Sequence, residues 1–257
     1  MKTTIGFIGA GRICKIFLEA WHNSILSGIE VILFDTESGK ALALANTYQN
    51  VRAADSIDEL TQTCSTLFLA IHPPAFQSVM PLLKSSDSKP EFIISLSPKI
   101  TVKQLQEGTG VNQIMRSIPN APSIIGKGYN VYSISPNFLP KFLEKASSLF
   151  LPLGQFVMVE ESLLESYATI TGMGPTYLWF LFNHLQLLAE KFGIPKQDAR
   201  NAVNAMIVGA SETLLDSNLD KNDVFDLIPS FPLKPRENEI TGIYTDVIDS
   251  LYNKMKI

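Results

Sequence analysis

The chain has 257 residues, 46% of them hydrophobic and 18% charged, with a formal net charge of -4. A chain of this length and composition is expected to fold into two domains with a sizeable core, which excludes a disordered polymer. It has no basic run, so neither nucleic acid nor an anionic membrane surface is an expected partner. The longest greasy stretch, 177–189, is interrupted by Asn183, His184 and Gln186, too soon for a bilayer span. Met1 stands directly before the first predicted strand, which leaves no room for a leader and predicts a cytoplasmic protein. Cys14 and Cys64 are expected as buried free thiols, and the scattered His22, His72 and His184 predict no metal site.

The opening stretch, Lys2 to Cys14, reads as a strand, a glycine turn and the start of a helix. Ile5, Phe7 and Ile8 favour a strand, Gly9 and Gly11 allow a sharp turn with close backbone approach, and Arg12 to Trp21 has helical apolar spacing. A helix N-terminus placed there offers free N–H groups to a pyrophosphate, with Gly9, Ala10, Gly11, Arg12 and Ile13 as the candidate residues. The third position of the G-x-G-x-x-G/A pattern is Cys14, small enough to let the helix lie close to the strand. Asp35 closes the apolar run Val31 to Phe34 at roughly the 20-residue spacing expected of a ribose-binding carboxylate. Such a carboxylate accepts from the ribose 2′-OH and repels a 2′-phosphate, and Lys40 is the nearest cation, so NAD(H) is favoured over NADP(H). A glycine turn that binds nothing is the alternative.

Ser38 to Tyr48 is alanine- and leucine-rich and predicts a helix, with Thr36 or Ser38 as its N-cap. Val51 and Arg52 suit a short strand, and Ser56 to Leu60 resembles a capping box. Ser65 to Ile71 is a strand covered on both faces, ending at His72-Pro73-Pro74. Phe92 to Leu96 and Gln113 to Arg116 repeat that pattern, and strand alternating with helix predicts a doubly wound parallel sheet. Ligands of such sheets sit beyond the carboxyl ends of the strands, which singles out Ala70, His72 and Pro73, and also Ser97-Pro98-Lys99; Lys99 and His72 are candidates for a phosphate or the nicotinamide amide, with solvated loop residues as the alternative. Asn130 to Ser133, a helix over Leu139 to Leu149, and a strand at Gln155 to Met158 complete a first domain over residues 1–159.

From Glu160 the β-branched runs give way to helical spacing, and residues 160–257 are expected to form an all-helical second domain. The expected helices are Glu160 to Thr169, Tyr177 to Phe192, Ala199 to Asp216, Asp223 to Ile228 and Ile240 to Met255. Two of them carry more apolar surface than so small a domain can bury, which predicts a homodimer.

Several motifs point one way. Met115-Arg116-Ser117-Ile118-Pro119-Asn120-Ala121-Pro122, followed by Gly126-Lys127-Gly128, resembles the Met-Arg-x-x-Pro-Asn-x-Pro and Gly-x-Gly of Δ1-pyrroline-5-carboxylate reductases. Ile5 to Gly11 is similar to that family's opening, and His72-Pro73 stands where it usually has Lys-Pro. Thr171-Gly172-Met173-Gly174-Pro175-Thr176-Tyr177 is similar to its Ser-Gly-Ser-Gly-Pro-Ala-Tyr. The resemblance implies a Rossmann-type doubly wound sheet followed by an all-helical dimerisation domain. It further implies NAD(P)H as cofactor, a cyclic imino acid or similar small molecule as substrate, and reduction of its C=N bond to give proline or a related product. Asn120 joins the cofactor-binding candidates, while Thr171, Gly172, Gly174, Pro175 and Thr176 become candidates at the substrate. Around Gly172 to Tyr177, a helix N-terminus that only caps itself is the alternative.

One stretch departs from the family. Where these reductases carry Ser-Pro-Gly-Gly-Thr-Thr, this chain reads Pro229-Ser230-Phe231-Pro232-Leu233-Lys234-Pro235-Arg236-Glu237. Lys234 and Arg236 are candidates for holding a carboxylate in place of the lost hydroxyls, or are solvated charges. The departure leaves open a reductase of another imine or carbonyl, or a non-catalytic nucleotide-binding homologue. A 3-hydroxyacid dehydrogenase is disfavoured, because Leu178 occupies the place of that family's catalytic lysine.

Overall fold

The computed structural model describes residues 3–256; Lys2, included in the expected opening strand, lies outside them. The chain forms two compact units, Met1–Met173 with Tyr252–Ile257, and Gly174–Leu251. The last strand ends at Met158, and the turns that follow stay with the first unit. Leu164 and Ala168 are buried against Ile118 and Val131 of the sheet, and this packing outweighs their helical pattern.

The first unit is built on one eight-stranded sheet: β1 (Thr3–Ile8), β2 (Ile29–Phe34), β3 (Val51–Ala53), β4 (Thr66–Leu69), β5 (Phe92–Ser95), β6 (Ile114–Ile118), β7 (Gly128–Ile134) and β8 (Gly154–Met158). Their spatial order is β3-β2-β1-β4-β5-β6-β7-β8. Pairing is parallel from β3 through β6, with the order reversing between β1 and β4. The direction changes once, at β7: β7 runs antiparallel to β6, and β8 is parallel to β7. Only a 3₁₀ turn, Ala121–Ile125, separates β6 from β7, and a parallel return needs a longer crossover, usually a helix.

The helices of this unit are α1 (Arg12–His22), α2 (Ser38–Thr47), α3 (Ile57–Thr63), α4 (Phe76–Ser85), α5 (Val102–Thr109), α6 (Pro140–Phe150) and the single turn α7 (Leu164–Tyr167). Two faces of the sheet carry two cores, as the period-2 alternation of a strand requires. Phe7 belongs to an aromatic core with Phe17, Trp21, Phe68 and Phe150, while the next residue, Ile8, joins Ile32, Leu67, Leu69 and Ile93. Phe7 and Phe68 face each other across β1 and β4 with ring centroids 4.4 Å apart. The buried Trp21 indole donates to the Leu149 carbonyl at 2.7 Å, so its polar edge is satisfied.

Two capping expectations are corrected. Neither Thr36 nor Ser38 caps α2, because the N-cap is Glu37 and makes no side-chain bond there. Ser56 does cap α3 through the Glu59 N–H, but the Glu59 carboxylate accepts from Asp55 N–H and pairs with Arg52, so the box is half formed. The complete capping box is at Thr101 and Gln104, opening α5.

After α7 the chain makes a π-helical turn, Ala168–Gly172, closed by the Met173 N–H to the Ala168 carbonyl at 3.0 Å. The second unit contains α8 (Gly174–Lys191), α9 (Lys196–Leu215), α10 (Lys221–Asp226) and most of α11 (Glu237–Met255). The Tyr244 hydroxyl donates to the Tyr177 carbonyl at 2.6 Å, tying α11 to α8. Burial is sparse: α8, α10 and α11 hold no buried residue and α9 only Ala199. No helix of the described residues is long and apolar enough to cross a membrane.

Candidate active site

Beyond the carboxyl ends of β1, β2 and β4 the structure gathers Gly9 to Ile13, Asp35 and Ala70. Three backbone bonds lace these ends together: Gly9 N–H to the Phe34 carbonyl at 2.8 Å, Ala70 N–H to Ile8 at 2.8 Å, and Leu96 N–H to Leu69 at 3.0 Å. Gly9 has φ +102°, and a Cβ there would lie 2.4 Å from the Ala70 carbonyl oxygen, so the turn itself demands glycine. Gly11 is different. A Cβ added to it would meet nothing within 4 Å, so the fold alone has no need of glycine at this position.

Gly11 is the N-cap of α1 and supplies no side chain, leaving the first-turn N–H groups of Arg12 and Ile13 to a ligand. Asp35 braces the turn, its two carboxylate oxygens accepting from Ala10 N–H at 2.8 Å and Glu37 N–H at 2.9 Å. A carboxylate has about four acceptor positions, which leaves capacity for ribose hydroxyls. Cys14 is fully buried in the aromatic core, and burial, reinforced by Asp35, pushes its thiol far above the usual range. It is a packing residue. These features fit a dinucleotide: a glycine turn, an open approach, unpartnered helix N–H groups and a carboxylate at the next strand end.

His72 and Pro73 lie in the turn after β4, where His72 is exposed and precedes the 3₁₀ turn Pro73–Ala75. Asn120 is buried and its side chain is engaged within the protein. Its amide donates to the Thr171 carbonyl at 3.2 Å, and its oxygen accepts from Tyr129 N–H at 3.1 Å. Thr171 and Gly172 end the π turn, and the Thr171 hydroxyl donates to the Tyr167 carbonyl at 2.9 Å. Gly174, Pro175 and Thr176 form the first turn of α8 in the second unit. Lys234 and Arg236 are exposed and already paired, Lys234 with Glu237 at 2.7 Å and Arg236 with both carboxylate oxygens of Glu239 at 2.6 and 2.8 Å. Phe231, Pro232, Leu233 and Ile240 line a cavity of about 530 Å³ beside them. Among the described residues no cluster of His, Cys, Asp or Glu is able to hold a metal ion.

One charged cluster was not anticipated as such. Arg116 of β6 is wholly buried and donates to Glu161 at 2.9 Å and Glu165 at 2.6 Å. The same carboxylate oxygens accept from the backbone, Glu161 from Val102 N–H at 2.7 Å and Glu165 from Lys99 N–H at 3.0 Å. Two signals in the sequence point to it. An arginine inside an apolar strand requires a carboxylate partner, and Glu161 and Glu165 share one helical face at i, i+4 spacing.

Residues 4–99 match the family described as NADP oxidoreductase coenzyme F420-dependent, and residues 161–228 match the one described as pyrroline-5-carboxylate reductase dimerisation. A pyrroline-5-carboxylate reductase of Synechocystis is 24% identical over 244 residues, covering 95% of this chain and 89% of its own length. The NADP-bound pyrroline carboxylate reductase of Plasmodium falciparum superposes with a TM-score of 0.83 at 21% identity, covering 99% of this chain and 97% of that one. The 1-pyrroline-5-carboxylate reductase of Streptococcus pyogenes does so with a TM-score of 0.84 at 21% identity, covering 99% and 98%. An oxidoreductase family and a pyrroline-5-carboxylate reductase dimerisation family are thus matched in that order, and over nearly its whole length the chain is similar to pyrroline-5-carboxylate reductases.

Proposed function

We propose that this protein is an NAD(P)H-dependent reductase of the pyrroline-5-carboxylate type, reducing a cyclic imino acid to proline or a close relative. The observation that carries this reading is the glycine turn, where Gly9 is required by the fold and Gly11 has the open space that a ligand's close approach needs. Gly9 to Ile13 would hold the pyrophosphate, Asp35 a ribose, and the turns after β4 and β5 the redox end of the dinucleotide. Bound there, the nicotinamide supplies a hydride to the imine carbon. A ring nitrogen that enters protonated takes the C=N π pair as the new C–H bond forms, so no strong general acid is needed from the chain. The protein's part is to position two rings and bind the substrate's carboxylate.

Asp35 and Glu37 follow β2, where the ribose would lie, and Lys40 is tied to Glu37 at 2.6 Å. That balance supports NAD(H) over NADP(H). The match to a dimerisation family and the exposed apolar side chains of α8, among them Trp179, Phe180 and Leu187, support a homodimer. A cytoplasmic place in proline formation is consistent with both.

The test is cofactor oxidation with pyrroline-5-carboxylate, followed at 340 nm with each cofactor in turn. Proline formation with a higher kcat/KM for NADH than for NADPH is the expected result. Nucleotide binding without turnover at saturating imine would leave a non-catalytic homologue, and a strong preference for NADPH would overturn the assignment of Asp35.

A further inference from the structure

We propose that Lys99 is the cation that receives the substrate's carboxylate, held in place by the buried Arg116–Glu165 pair; this rests on the reductase reading above. Three non-glycine residues among those described have positive φ: Asn50, Lys99 and Asn137. Asparagine tolerates the left-handed region, so two of the three need no explanation. Lysine does not share that tolerance, and Lys99 at φ +70° stores about 1–2 kcal/mol of strain that glycine would avoid.

The surroundings hold that strained residue fixed. Its N–H donates to the Glu165 oxygen that also binds Arg116, and Pro98 stiffens the preceding link. Three residues on, Val102 N–H is held by Glu161, the other partner of Arg116. The backbone from Lys99 to Val102 is therefore anchored at both ends to one wholly buried guanidinium. The Lys99 side chain, in contrast, is exposed and forms no ion pair among the described residues.

Position decides what an unpaired ammonium there is for. The phosphate turn follows β1 and the ribose carboxylate Asp35 follows β2, while Lys99 follows β5, across the switch point from Asp35. A dinucleotide laid along this edge puts its adenosine over β2 and its redox end towards β4 and β5. Lys99 stands on the redox flank, where the substrate must lie. The other candidate cations for a carboxylate, Lys234 and Arg236, are neutralised by Glu237 and Glu239. Lysine, a compact charge on a flexible stem, suits a carboxylate.

The experiment compares wild type, Lys99→Gly and Lys99→Arg on pyrroline-5-carboxylate and on 1-pyrroline, which lacks the carboxylate. Glycine relieves the strain, so Lys99→Gly should melt no lower than wild type. Its KM for pyrroline-5-carboxylate should rise about tenfold, and its kcat/KM preference for that substrate over 1-pyrroline should fall by about the same factor. Lys99→Arg should recover most of the preference. A preference unchanged within about twofold, or a loss confined to the KM of the cofactor, overturns the assignment.

A second measurement keeps this separate from the reductase reading. Calorimetric titration of L-proline and of pyrrolidine into the NAD-loaded protein should show proline binding weakened about tenfold in Lys99→Gly. If wild type reduces neither imine, the reductase reading fails on its own account, and the titration still decides Lys99. Equal proline affinity in the two proteins, or no proline binding by wild type, overturns it.

Discussion

The two units of this chain solve the burial of apolar surface in opposite ways. In the sheet unit β4, β5 and β6 are buried at every residue and β1 and β2 at four of six, and even an arginine is buried with the Glu165 carboxylate. In the helical unit the long helices leave Trp179, Phe180, Leu187, Val208 and Val247 exposed. The first unit completes its own core, and the second has apolar surface to spend on another molecule. That contrast agrees with the proposal that the sheet holds the cofactor and the helices bring two copies together.

The largest expected effect tests the self-sufficiency of the sheet unit. Arg116→Ala would strand Glu161 and Glu165 without their cation, and should destabilise the protein by about 3–5 kcal/mol in chemical denaturation. A loss below about 1 kcal/mol would mean that water or backbone N–H groups alone satisfy those carboxylates. Next comes the helical unit. Phe180→Glu places a charge on the exposed apolar face of α8 and should weaken self-association by about 2–4 kcal/mol, seen as monomer by light scattering at micromolar concentration. Unchanged mass would remove this face of α8 from the interface. The smallest effect on stability belongs to the turn. Gly11→Val has open space around its side chain, so stability should shift by no more than about 0.5 kcal/mol, while nucleotide affinity falls by about tenfold or more. Unchanged affinity in a folded variant would remove Gly9 to Ile13 from the site.

Much of the sheet was legible because its signals are local. The apolar runs of β1, β2, β4 and β5, the glycine turn and Asp35 each carry their own pattern, and periodicity located α8 to α11, although each begins two or three residues before its expected start. What escaped was set by tertiary context. The reversal at β7 depends on how short the 3₁₀ connection after Ile118 is, and sequence pattern alone does not reveal a strand's direction. The seating of 161–172 on the sheet depends on Leu164 and Ala168 finding Ile118 and Val131. At the site, Asn120 was read as a cofactor residue, and its side-chain amide is engaged with Thr171 and Tyr129. Lys99 stood in the sequence as one of several candidates at a strand end. Its left-handed backbone and the buried clamp beneath it become visible only when residues 99, 116 and 165 meet.

The central claim is hydride transfer to an imine, and the most direct measurement follows the hydride itself. Purified protein would be given pyrroline-5-carboxylate and NADH carrying deuterium at nicotinamide C4, in ordinary water, and the proline analysed by mass spectrometry and NMR. The account predicts a single deuterium on the former imine carbon of proline, formed with one equivalent of cofactor oxidised. Absence of labelled proline while the protein binds the cofactor and stays folded would contradict it.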